Sequence, residues 1–503
     1  MENCILSELS KIVKGGFLNL IGSVGAKILL LFFTIFVAKV LGPGDIGLYS
    51  LGIVICELLV LLSNLGLPTG ATRFVAIYNV RNDLQRMKGV VLIATIATLM
   101  MSLAASGALF FSADFIAVSI LHKPALGEVL RWLSFSIPFE CVMRVFTAST
   151  LGLKLVQHTA YIEHIAWGGL RFVFVILFLA GFNMGLKGVN LAYVASSVIT
   201  AGLACYYANK KIPLFNRQIT PIFEVKELFT FSFPILFSTL IYDLLIREDI
   251  MMLGYFSNAI EVGIYSVVTK FLNSADIIFY TFKPIFNPII VELHEKKEYD
   301  KLSNLVKLVT RWDITLSYPI FLSLLLFPKF FLKIFGRGFI QGAACFSILV
   351  IVHILKSIPC YQKSIITMSG RSHTSLLIDF ISLISNFIFN YLLIPPYGTV
   401  GAALATLISI ILTIVINILI VYYIFKIHPL SKSLWRPLIA GGIPFLVLST
   451  LTISKLLIIN NITTIFIIIL FLISYLFIIS IFGFNDEELY IKGKIIWYLR
   501  SLI

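Results

Sequence analysis

Apolar residues follow one another along this chain in runs of about 20, the length an α-helix needs to cross a bilayer. About fourteen such runs are predicted as spans, at 17–41, 46–67, 88–111, 130–152, 160–181, 185–208, 228–252, 262–283, 311–336, 340–368, 372–394, 399–425, 436–458 and 462–484. The polar stretches between them carry most of the charge, notably Arg73 to Lys88, Lys210 to Lys226 and Glu292 to Lys307. None exceeds about 30 residues, which leaves no room for a soluble domain. The pattern predicts an all-α polytopic membrane protein.

The runs fall into two similar sets. Asp45-Ile46-Gly47-Leu48-Tyr49-Ser50 returns as Glu261-Val262-Gly263-Ile264-Tyr265-Ser266, about 216 residues later, and both copies follow a Leu-Gly pair (Leu41-Gly42, Leu253-Gly254). The motif sits between two apolar runs and is read as a short turn between membrane helices. Gly185, Gly188, Leu191 and Ala192 recur as Gly398, Gly401, Leu404 and Ala405 at an offset of about 213. The repeat predicts an N-terminal six-helix lobe over 1–210, a second six-helix lobe over 211–427, and an added helix pair with a tail over 428–503. With an even number of spans in each half, both halves enter the membrane from the same side. The pseudo-two-fold axis is then expected along the membrane normal. Repeats of this kind belong to transporters that rock one half against the other, with substrate between them.

Composition agrees with the pattern: 59% of residues are hydrophobic, 13% are charged, and the mean hydropathy is +0.99. The net charge of +14 is assigned to cytoplasmic loops rather than to nucleic-acid binding. With the N-terminus inside, about 25 Lys and Arg fall on the cytoplasmic side and about 7 outside. Both termini are therefore expected in the cytoplasm of a cell-membrane protein. Met1 to Lys14 does not resemble a cleaved signal, so the first helix is expected to remain. On the outer side, Lys329 to Arg337 has the spacing of a short amphipathic interface helix. Pro138, Pro234, Pro319, Pro359 and Pro444 fall inside predicted helices and are expected to bend them, either for gating or simply as common features of membrane helices.

The six cysteines (Cys4, Cys56, Cys141, Cys205, Cys345, Cys360) show no paired spacing, and the seven histidines are dispersed. No disulfide, metal or cofactor is expected. There is also no phosphate-binding glycine loop and no nucleophile signature, so direct ATP drive and enzyme activity are not expected.

Ionisable residues at bilayer depth are the functional clue. Lys27 lies about 15 Å into the first helix and Glu57 about 16 Å from the outer end of the second, at 1.5 Å per residue. They are expected to face inward, either as a structural pair or as part of a substrate or ion site. Ser23 shares the Lys27 face, beside the small residues Gly22 and Ala26. Ser266, Lys270, Asn273 and Ser274 form a polar stripe on the eighth helix, with Asn273 at the repeat position of Glu57. Arg247, Lys356 and Arg171 are further deep bases, and Glu140 and Arg144 are spaced to pair along one helix. Candidate substrate-binding residues are Lys27, Arg247, Lys270, Asn273 and Lys356. Candidate ion-coupling residues are Glu57, Asp249, Asp276 and Asp379.

The segments Leu65-Gly66-Leu67-Pro68-Thr69-Gly70-Ala71-Thr72-Arg73-Phe74-Val75-Ala76, Leu253-Gly254-Tyr255-Phe256 leading to Val262-Gly263-Ile264-Tyr265-Ser266, and Tyr397-Gly398-Thr399-Val400-Gly401-Ala402-Ala403, together with six-helix halves and an extra final pair, carry a resemblance over essentially the whole chain. The chain resembles the polysaccharide transporter family, which includes O-antigen and teichoic-acid type flippases, within the multidrug/oligosaccharidyl-lipid/polysaccharide exporter superfamily. The resemblance implies two lobes around a central cavity and alternating access. It also implies a lipid-linked oligosaccharide moved to the outer leaflet, with membrane lipids as partners, bases holding its pyrophosphate, and Na+ or H+ as the coupling ion. A drug or cation antiporter of the same superfamily is the alternative, using acids such as Glu57 and Asp276. A membrane-embedded glycosyltransferase ranks last, because it calls for a large outer loop.

Overall fold

The computed structural model describes residues 2–358, 361–429, 431–454 and 460–482, without the side chains of 2–24, 26, 164, 277–285, 432 and 453. Among the described residues the regular structure is helical throughout, with short 3-10 and π segments and no strand. Eight helices are long and apolar enough to cross a membrane. Two of these each join two of the predicted runs across a bend, at Gly42 in Glu2–Asn64 and at Gly398 in Ser372–Phe425. The architecture is compatible with the fourteen predicted spans.

Several boundaries differ from expectation. The run 130–152 divides into Leu126–Ser134 and Ser136–Gly152, and 262–283 stops at Ala275, where Asp276 closes the helix before Ile277–Glu295 begins. The run 340–368 divides into Arg337–Gly342, Ala343–Lys356 and Gln362–Met368. An unbroken apolar run does not show where a helix breaks, because hydropathy does not register backbone angles. Leu67–Val80, a helix too short to span, occupies what the pattern reads as a connection. A short helix forms over Pro328–Lys333, within the stretch expected as an interface helix. Pro234, Pro319 and Pro444 stand inside helices, as expected. Pro359, Cys360, Lys492 and the predicted helix ends at 455–458 and 483–484 lie outside the described residues, as do the side chains of Cys4, Gly22, Ser23 and Ala26. Cys56, Cys141, Cys205 and Cys345 are free thiols.

The chain forms two compact units, one from 1–277, 332–349 and 372–413, the other from 278–331, 350–371 and 414–503. The first unit is organised on the crossing of Glu2–Asn64 with Ala259–Ala275. A Cβ placed on Gly47 would meet the Ala259 carbonyl oxygen and the Gly263 nitrogen, and one on Gly263 would meet the Pro43 carbonyl oxygen and the Gly47 nitrogen. The offset that relates Gly47 to Gly263 also relates Pro43 to Ala259. The repeated motif therefore contacts its own copy in a self-complementary way, as residues at a two-fold axis do. The second match has the same backbone signature in both copies, since Gly185 and Gly398 take φ of 56° and 55°. A positive φ favours glycine, which has no Cβ to clash.

The segment after Ile212 is fastened to the first unit's polar loop. Buried Lys88 donates to the carbonyls of Asn216 and Ile219 at 2.6 and 3.0 Å, Arg86 pairs with Glu224 at 2.8 Å, and Tyr78 donates to the same carboxylate. In the second unit, Trp435–Ile453 and Asn461–Ile481 pack on each other and on Tyr299–Leu326. The Tyr475 hydroxyl donates to the Thr315 carbonyl at 2.8 Å, and Gly441 admits the Tyr318 ring. Asn460 and Thr463 form a capping box that starts the last helix.

Candidate transport site

The glycine crossing brings the polar stripe of Ala259–Ala275 against Glu2–Asn64. Two turns beyond Gly263, Lys270 donates to the Ser50 hydroxyl at 3.2 Å. Ser50 is the last residue of the first motif. Among the described residues Lys270 makes no ion pair, and an ammonium has three protons to donate. Arg171 and Glu57 are close enough for their charges to act on it.

Arg247 is held by two acids, Glu57 from the second span and Asp243 one turn before it at 3.3 Å. Of the two alternatives for Lys27 and Glu57, the structural pair is therefore not formed, since Glu57 meets Arg247 instead. Arg247 comes from Val225–Phe256, which packs beside Glu2–Asn64, and takes the carboxylate that depth alone matched to Lys27. Lys27 instead donates to the Asn273 carbonyl at 3.3 Å, within the field of Asp276. Asn273 therefore contributes its backbone here, while its side chain is exposed. Asp276 is buried at the end of Ala259–Ala275. Glu140 and Arg144 act on each other electrostatically but make no ion-pair contact among the described residues, and Glu140 is fully buried beside Tyr193 and Ser136. Asp379 is half-buried near Tyr242. Lys356 belongs to the second unit, at the last turn of Ala343–Lys356.

If the Glu57–Arg247 pair is structural, Arg247→Ala, which leaves two half-buried carboxylates without their cation, lowers stability by about 1.5–3 kcal/mol, and Glu57→Ala, which leaves Arg247 its Asp243 partner, lowers it less. The double substitution is expected to recover much of that loss in detergent melting, and independent losses that simply add would contradict the pairing.

A second constellation surrounds Asp249, which is buried together with Glu248. The Asp249 carboxylate accepts from Asn390 Nδ2 at 2.7 Å, Asn386 Nδ2 at 2.8 Å and the Tyr265 hydroxyl at 2.5 Å, and the Thr406 hydroxyl lies 2.9 Å away. Asn386 Nδ2 also reaches Glu248 at 2.6 Å. Among the described residues, no lysine or arginine pairs with either acid. The Oδ1 atoms of Asn386 and Asn390 are buried with no hydrogen-bond partner. Buried carboxylates normally have a cation or a proton, and these two are surrounded by neutral oxygen and amide groups. Such groups suit a small hard cation or a proton. Sequence reasoning found Asp249 but missed Asn386, Asn390, Tyr265 and Thr406. The available signal was two asparagines one helical turn apart inside an otherwise apolar run.

The Polysaccharide biosynthesis protein family model matches residues 12–294, more than half of the chain, and the MatE model matches residues 234–392. A putative O-antigen transporter of Shigella flexneri is 23% identical over 414 residues, covering 80% of this chain and 95% of that protein. Among solved structures, the lipid II flippase MurJ in an inward closed conformation superposes with a TM-score of 0.72 at 14% identity, covering 93% of this chain and 98% of that one. An inward-facing multidrug resistance MATE family transporter of the MOP superfamily gives 0.67 at 14% identity, covering 80% and 95%. At such identities these likenesses establish the fold. The chain is a multi-pass membrane protein, and with its family model matched from residue 12 to residue 294 it belongs to the polysaccharide biosynthesis protein family, on the fold shared by the multidrug and polysaccharide exporters.

Proposed function

We propose that this protein is a flippase, a transporter without enzymatic activity that moves a lipid-linked oligosaccharide precursor from the cytoplasmic to the outer leaflet by alternating access. The observation that carries this reading is Lys270, a base at bilayer depth that makes one contact with a neutral hydroxyl and no ion pair. An ammonium left in this way suits a phosphate or pyrophosphate oxygen, because the strongest hydrogen bonds available to it are charge-assisted. The family match, the Shigella O-antigen transporter and the MurJ fold support the cargo class. Lys27 and Asn273 border the same helix, and Lys356 of the second unit is kept as a further base. Arg247, already held by two acids, is assigned to structure. Asp249 is the proposed coupling site for Na+ or H+, ahead of Glu57, Asp276 and Asp379. Both termini are proposed to be cytoplasmic, a reading that the loop charges support and that labelling of a cysteine near Lys492 from outside intact cells would contradict.

The test is transfer of a pyrophosphate-linked oligosaccharide between leaflets of reconstituted vesicles. Lys270→Ala is expected to lower the rate about tenfold or more, the worth of one charged hydrogen bond, with little change in detergent melting. Lys270→Arg is expected to keep part of the rate. Full transfer by Lys270→Ala would remove Lys270 as a substrate contact. The second reading, a cation-exporting antiporter, draws on the base-free Asp249 constellation and the MatE match.

A further inference from the structure

The two halves treat one equivalent place with opposite charge. Tyr49 and Tyr265 are the fifth residues of the repeated motif, and Tyr193 and Thr406 directly follow the matched pairs Leu191-Ala192 and Leu404-Ala405. In the second half, Tyr265 and Thr406 both reach the Asp249 carboxylate. In the first half, the Tyr49 and Tyr193 rings meet edge to face at 6.5 Å, with Arg171 bearing on the Tyr49 hydroxyl and Glu140 on that of Tyr193. Facing Tyr49, where Asp249 faces Tyr265, stands the apolar ring of Phe33 at 6.5 Å.

A cation already lies against these rings. The Arg171 guanidinium is 4.6 Å from the Phe33 ring centre, 5.7 Å from that of Tyr193 and 5.8 Å from that of Trp167, and its charge acts on Tyr49. Aromatic faces attract cations without neutralising them, by about 0.5–2 kcal/mol each, more where water is excluded. Arg171 and Trp167 come one turn apart from a single helical stretch, as Asn386 and Asn390 do beside Asp249. The other charged groups that act on this place are Glu57, Glu140 and Lys270. Beside it opens a cavity of about 170 Å³, lined in part by Phe33, Glu163, Trp167 and Arg171 itself.

We propose that the first half retains the counterpart of the Asp249 cation site and that Arg171 fills it as a tethered guanidinium. This half is then permanently loaded, and only the second half exchanges a cation during transport. The inference rests on the reading of Asp249 as the coupling site. It accounts for an arginine at bilayer depth that makes no ion pair, and it makes the duplicated protein asymmetric where a single coupled cation requires it.

Removing the tether tests the inference. Arg171→Ala leaves a hollow shaped for a guanidinium, so millimolar methylguanidinium is expected to recover at least half of the lost melting temperature by mass action. The same salt is expected to leave the wild type unchanged, and choline chloride at equal ionic strength to recover none. A folded Arg171→Ala protein that ignores methylguanidinium, or responds equally to choline, overturns the inference. Where Arg171→Ala cannot be purified, Arg171→Lys and Arg171→Met decide. The lysine variant is expected to transport within about tenfold of wild type and the methionine variant, similar in bulk but uncharged, to fall well below it. Equal activity or equal loss in the two contradicts the tethered cation. Gradient-driven transport compared in wild type and Asp249→Asn reads the Asp249 site separately, whether the cation is Na+ or H+. Coupling lost in Asp249→Asn without methylguanidinium rescue of Arg171→Ala overturns this inference alone, whereas rescue with gradient-driven transport unchanged in Asp249→Asn upholds the filled pocket and removes the Asp249 reading.

Discussion

Gly47→Ala and Gly263→Ala are each expected to destabilise the protein by about 1–3 kcal/mol, and residues larger than alanine to prevent assembly. The cause is geometric. A Cβ at either position would overlap the carbonyl oxygen of the opposite helix, and backbone cannot rotate away as a side chain can. The helices must separate, and that separation draws Lys270 away from Ser50. Because the two glycines form one contact seen from both sides, the first substitution already opens the space the second needs. The double variant is therefore expected to cost clearly less than the sum, measured by detergent melting. Additive losses would mean that the two motifs do not share a contact.

Asp249→Asn is expected to fold and insert but to lose cation-coupled transport. Asparagine keeps an acceptor among Asn386, Asn390, Tyr265 and Thr406 and can donate through its amide, so few partners are stranded. Asp249→Ala strands several buried donors and is expected to cost about 1–3 kcal/mol of stability for each one left unsatisfied. If Na+ is the coupled cation, the wild type melts higher in Na+ than in K+, through binding to the folded state alone, and Asp249→Asn loses the difference. If the cation is H+, the two salts give equal melting and transport follows the pH gradient until Asp249 is replaced. A variant that keeps gradient-driven transport at the wild-type rate would remove Asp249 from coupling.

The fold was legible because its constraints leave marks in one dimension. A span needs about 20 apolar residues. The tight crossing also needs glycine on both sides, which preserves Gly47 and Gly263 in recognisable company. The left-handed bends at Gly185 and Gly398 are legible for the same reason. Breaks such as that at Asp276 were not, because hydropathy does not register backbone angles. Depth identified which charges are buried but not their neighbours. Glu57 and Lys27 lie at similar depths, yet Glu57 meets Arg247, whose approach depends on how Val225–Phe256 packs. Asn386 and Asn390 carry no charge, so they do not register as costly in an apolar run, although they are among the nearest contacts of Asp249.

The most direct measurement reconstitutes the wild-type protein in sealed vesicles and follows two cargoes in parallel: a fluorescent pyrophosphate-linked oligosaccharide, scored by its exposure at the far leaflet, and a lipophilic cationic dye. The account predicts that the sugar lipid crosses in a protein-dependent way and that Lys270→Ala slows it, with no protein-dependent movement of the dye. Movement of the dye against a Na+ or H+ gradient, with the sugar lipid staying in its original leaflet, would contradict the account and make this an antiporter.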